Sequence, residues 1–159
     1  MSRFAKKIVI HAVLLTAAAL STTAGALTPA DQQEILSFKL SEDFLHRYEA
    51  VIAAKPAEGS EEPSLAQLTM MTRSLDAMTA EVAKSPKLVA LLKQHGLSAR
   101  QAIVGGLVIA RAGMADTMLA DPKMAKYVSK DKMPSAENMA FYRAHKAEIG
   151  AAMKKADAE

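Results

Sequence analysis

Nine consecutive residues from Ala102 to Ala110, Ala-Ile-Val-Gly-Gly-Leu-Val-Ile-Ala, carry no polar side chain. They lie inside a segment with strong helical punctuation. Ser98 followed by Gln101 is a capping box that opens a helix at Ala99. Nothing interrupts it before Asp121-Pro122, so the predicted helix spans about 99–120. A helix that is apolar on every face must be enclosed. The rest of the chain therefore has to wrap it, and the pattern predicts an all-α single domain of five to six helices around this central one.

The flanking segments supply suitable partners. Thr28-Pro29 reads as a cap and first helical position. Leu36, Phe38 and Leu40 then alternate with polar residues like a strand that has nothing to pair with, so a turn of helix followed by an extended connector is expected. Ser41 caps a second helix to about Ala54, with Phe44, Leu45, Tyr48, Val51 and Ile52 on one face. Residues 55–64, with two prolines and three glutamates, read as a solvated loop. Leu68, Met71, Leu75, Met78 and Val82 make the stripe of one long helix from Leu65 to Lys84. Ser85-Pro86 opens a short helix that Gly96 stops. Asp121-Pro122 starts a short turn, and Ser135 caps a last helix to about Lys155, with Met139, Tyr142, Ile149 and Met153 inward.

The first 26 residues read as an address. Arg3, Lys6 and Lys7 precede an uncharged apolar run from Ile8 to Leu20, and Ala24-Gly25-Ala26 has the small-x-small pattern of a signal-peptidase site. The expectation is cleavage after Ala26, giving a periplasmic or secreted domain over 27–159 with no stable membrane insertion. Cleavage removes three basic residues and no acidic one, so 20 Lys+Arg against 17 Asp+Glu becomes 17 against 17. The mature chain as a whole is neutral, which gives no electrostatic case for nucleic acid or anionic lipid. The chain has no cysteine, which excludes disulfides, thiol catalysis, c-type haem attachment and thiolate metal sites.

Few residues can carry chemistry. His145 falls in the apolar stripe of the last helix, with Tyr142 a turn before and Glu148 a turn after. A partly desolvated imidazole with a carboxylate at that spacing can carry a proton or ligate a metal, and the plainer reading is a boundary histidine bonded to a carboxylate or carbonyl. Arg111 lies on the side of the central helix that holds Val104, Leu107 and Met118, with no charge three or four residues away. It calls for a tertiary partner, with Asp43, Asp76, Glu81 and Glu148 as candidates. Arg100 shares its azimuth, so the two could clamp an anion, or each could reach one carboxylate.

Gly106 and Gly113, with Ala102, Ala110 and Thr117 on adjoining azimuths, form a small-residue stripe. Each interior glycine costs about 1 kcal/mol relative to alanine. Gly105-Gly106 therefore calls for close approach of a neighbouring helix, or else a pocket floor or a kink beside a ligand. Residues 27–159 hold nine methionines against six aromatics. Met114 and Met118, with His145, could serve copper or an axial position on b-type haem, although most methionines occupy core positions where a flexible thioether fills gaps. His46, beside Glu42 and Glu49, reads as a solvated ion-pairing residue, and His95 as a helix-terminal one.

Gly96-Leu97-Ser98-Ala99-Arg100 and Asn138-Met139-Ala140-Phe141-Tyr142-Arg143-Ala144-His145, together with Lys39-Leu40-Ser41 and Arg47-Tyr48, resemble an uncharacterised family of small exported bacterial all-helical proteins. The resemblance implies an exported helical domain and brings no activity, cofactor or site residue with it. With no nucleophile near His145 and Glu148 in sequence, acid-base catalysis ranks last. The leading expectation is a non-enzymatic protein that binds a partner protein or a small apolar ligand and needs no cofactor; the alternative is a copper or haem carrier built on His145 and methionines.

Overall fold

The computed structural model describes residues 26–54, 65–69 and 73–157. The expected signal segment lies outside the described residues except for Ala26, as do the loop at 55–64 and Met70 and Met71. The described residues form eight α-helices: α1 (Pro29–Ser37), α2 (Glu42–Ile52), α3 (Leu65–Thr69), α4 (Leu75–Ala83), α5 (Pro86–Gln94), α6 (Ala99–Ala120), α7 (Pro122–Ala125) and α8 (Ala136–Asp157). A single 3-10 turn at Lys130–Lys132 precedes α8, and the described residues contain no strand. The domain is all-α.

The central helix is the one the apolar run demands. Ser98 Oγ accepts from the Gln101 amide at 3.1 Å and Gln101 Oε1 accepts from the Ser98 amide at 3.0 Å, completing the box. Ala102 to Ile109 are all buried, and each of the other seven helices touches α6. By length and composition α6 would also cross a bilayer, but here its first half is the middle of a protein core.

Local chemistry sets the other boundaries. The Thr28 hydroxyl and the Asp31 carboxylate cap α1 reciprocally at 3.1 and 2.9 Å. Asp31 is buried and its second role is tertiary, since Oδ2 also accepts from the Leu75 amide at 3.4 Å, at the start of α4. That amide explains why the single helix expected over 65–84 is instead two. Ser74 Oγ takes the Ala77 amide at 3.2 Å, so a fresh N-cap, backed by Asp31 from another helix, replaces continuation. Leu68, Leu75, Met78 and Val82 are buried all the same. This split and the four-residue α7 bring the number of helices above the five or six expected.

α5 ends in a Schellman motif. Gly96 has φ +67°, its amide donates to Lys93 O at 3.0 Å, and the Leu97 amide donates to Leu92 O at 2.9 Å.

The extended connector after α1 is present, and α8 supplies its missing strand partner. Asn138, 2% exposed, donates from Nδ2 to Phe38 O at 2.7 Å and accepts at Oδ1 from the Leu40 amide at 2.9 Å. One side-chain amide thus does for two connector groups what a neighbouring strand would do. Its own backbone amide is capped by Ser135 Oγ at 3.2 Å.

Candidate functional site

The small-residue stripe on α6 is a row of sockets for aromatic rings. A Cβ at Gly105 would lie 2.0 Å from Phe44 Cζ; at Gly106 it would lie 2.5 Å from the Tyr48 hydroxyl and 2.9 Å from Thr69 Cγ2; at Gly113 it would lie 2.9 Å from the Tyr142 hydroxyl. The close approach comes from side chains of α2, α3 and α8, not from the backbone of a neighbouring helix. Phe44 and Tyr48 stack at 5.5 Å, and Phe38 meets Phe44 edge-on at 5.1 Å. The Tyr48 hydroxyl is buried without a hydrogen-bond partner among the described residues, and burial pushes its ionisation far up.

Arg100 and Arg111 follow separate courses. Arg100 binds Glu34 of α1 at 2.7 Å and Asp76 of α4, with Asp31 at 3.7 Å. Its hydrogen bonds to Glu34 and then Asp76 hold its charge more firmly than usual. This network pins α1, α4 and α6 together. Arg111 finds none of the expected carboxylates. Its Nη2 donates to Gln32 Oε1 at 2.8 Å, while Nη1 is buried without a partner among the described residues, and desolvation lowers its pKa. The reason is geometric: the helix facing Arg111 is α1, which presents an amide there. With Arg100 committed to three acids, the paired guanidinium clamp is not formed.

His145 sits at the domain boundary, its side chain 21% exposed. Its ring stacks on Phe141 at 4.3 Å and its Nδ1 lies 3.0 Å from Glu148 Oε2. The other Glu148 oxygen lies 3.9 Å from His46 Nε2 on α2. Glu49, one turn after His46, belongs to the same seam. Its Oε1 is buried and meets no donor group among the described residues, and its pKa is raised first by desolvation and then by the charge of the neighbouring Glu148 carboxylate, with which a proton can be shared, against the opposing pull of His46 and His145. The sequence reading placed Glu49 on the polar face and missed this role, since only the packing of α2 on α8 reveals it. No three His, Asp or Glu side chains among the described residues have a metal-holding arrangement.

A carboxylate with a raised folded pKa contributes stability at pH values below that pKa and loses it as pH rises through it. Glu49→Gln keeps the shape and removes the charge. It is expected to raise stability at pH 8 by less than about 1 kcal/mol, the scale of a partly exposed charge interaction, and to flatten the decline that starts at the ordinary carboxylate pKa, so that the two proteins differ less at about pH 4 than at pH 8. Denaturant titrations of both proteins at the two pH values check it.

The methionines divide. Met78 and Met139 are buried, whereas Met114 is 66% exposed and Met118 half-buried. Met114 belongs to a different feature, the end of α6 and the turn of α7, where Leu119, Met124 and Tyr127 are also exposed. His145, Glu148 and Tyr142 thus share α8, while Arg111, Arg100 and Gly106 each engage their own partners. No protein-family model, characterised protein or solved structure matches the chain.

Proposed function

We propose that this is an exported, non-enzymatic helical protein that acts in the periplasm by binding a partner on its surface. One observation carries the reading. Of the five large hydrophobic side chains exposed among the described residues, four (Met114 and Leu119 on α6, Met124 on α7 and Tyr127 just after it) fall within residues 114–127, while Val89 stands apart on α5. Scattered exposed apolar residues are ordinary, but their concentration marks a contact surface. The stripe on α6 that could have floored an internal ligand pocket is occupied by Phe44, Tyr48 and Tyr142, which favours the surface over the helix interior. The basic, apolar, small-residue pattern of residues 1–26 supports export.

A photo-crosslinking side chain placed at Tyr127 or, as a control, at Val89 tests this in intact cells. The expected result is a discrete adduct at 127 that excess unlabelled protein suppresses, and none at 89. Equal labelling at the two positions would overturn the surface assignment, and recovery of uncleaved chain in the membrane fraction would overturn export as a soluble domain.

A further inference from the structure

The face around α7 combines exposed apolar residues with uncompensated positive charge. Lys123, Lys126 and Lys132 are exposed and, among the described residues, pair with no carboxylate, as is also true of Lys87 and Lys93 on α5 and of Lys154 and Lys155 on α8; what sets the α7 segment apart is that its lysines lie beside exposed apolar side chains. Residues 121–132 hold four lysines against Asp121 and Asp131, a local charge of +2 that the neutrality of residues 27–159 conceals. Asp121 is itself engaged, accepting the Lys123 amide at 2.8 Å. Lys126 Nζ lies 4.9 Å over the Tyr127 ring, and Met124 and Tyr127 project from a turn in which residues 121–124 are all exposed.

The chemistry of these side chains selects among partners. Lysine is depleted at protein–protein interfaces because fixing and desolvating a flexible ammonium is costly. At a lipid headgroup layer the same ammonium stays mobile and hydrated while its stem covers apolar surface. Tyrosine suits that boundary for the same reason, its ring apolar and its hydroxyl wet. A projecting turn with a Met and a Tyr at its tip also fits between headgroups, where a protein partner would need a groove to receive it.

Building on the surface reading above, we propose that the α6–α7 end of the protein docks on an anionic phospholipid surface, with Met124 and Tyr127 entering the headgroup region and Lys123, Lys126 and Lys132 meeting the phosphates. The contact is peripheral and leaves α6 in the core.

Co-sedimentation of the processed periplasmic protein with vesicles of phosphatidylcholine alone, or containing about one-third phosphatidylglycerol, tests this, with a salt titration because surface charge attraction is screened. Wild type is expected to bind the anionic vesicles, to release them in high salt and to ignore the neutral ones. Replacing Lys123, Lys126 and Lys132 together by Gln should weaken binding about a hundredfold, at about fivefold per lysine. Met124→Ser with Tyr127→Ser should weaken it further without lowering the melting temperature, since both side chains are exposed. Equal binding to both vesicle types, or a triple Gln variant that binds like wild type, would overturn the proposal. Failure on vesicles with a competed protein adduct at 127 would sink the lipid assignment and leave the surface reading standing, and failure of both would sink both.

Discussion

Gly105→Ala is expected to destabilise the protein by about 2 kcal/mol or more, although alanine is the better helix former by about 1 kcal/mol. The added methyl would fall 2.0 to 2.7 Å from three atoms of the Phe44 ring. That ring has no room to withdraw, because Phe38 meets it edge-on and Tyr48 stacks on it. Moving it disturbs the aromatic cluster that joins α2 to α6. The same substitution at Gly150 on α8 serves as the control, since a Cβ there meets nothing within 4 Å. Gly150→Ala should stabilise by about 0.5 to 1 kcal/mol through helix propensity alone. Urea denaturation of the two variants should therefore give shifts of opposite sign. A stabilising Gly105→Ala would mean that Phe44 does not occupy the socket.

The glycine pair shows how far one-dimensional pattern reaches. That Gly105-Gly106 needs a compensating reason follows from helix propensity, and the apolar run places both residues on an enclosed helix. What fills the space does not follow, because the rings come from α2, whose register against α6 is a tertiary fact. The capping box at Ser98 and Gln101, the Gly96 stop and the Thr28 and Ser41 caps were all legible because each is complete within a few residues. The break at Ser74 was not, since it depends partly on Asp31, which is 44 residues away from the amide it binds. The candidate site shows the same limit. His145 and Glu148 share a helix, and their pairing could be read from spacing; Glu49 joins them only because α2 packs on α8. Arg111 called for a partner, but only the fold shows that it is an amide. The positive charge of the α7 segment is invisible in the neutral total of residues 27–159, which averages it away.

Asn138→Ala is expected to cost about 3 kcal/mol. The side chain is buried and its two hydrogen bonds close contacts 98 and 100 residues apart in sequence. Alanine leaves the buried Leu40 amide and the part-buried Phe38 carbonyl without their partner, and a fully buried orphan costs about 1 to 3 kcal/mol, a part-buried one less. Asn138→Asp separates the two bonds. It keeps an acceptor for the Leu40 amide, removes the donor to Phe38 O and buries a charge that no counter-ion faces. Protonating the aspartate restores a donor, so the Asp variant should lose much more stability at pH 7 than at pH 4, relative to wild type at the same pH. The Ala variant should show a deficit that barely changes with pH. Amide exchange at Leu40 gives a local readout, because that proton is protected only by Asn138 and should exchange faster in Asn138→Ala even under strongly folding conditions. A deficit below about 1 kcal/mol with Leu40 still protected would show that water or a shifted backbone replaces the clamp. The strand-like alternation of Leu36, Phe38 and Leu40 would then lack the partner that α8 is argued to provide.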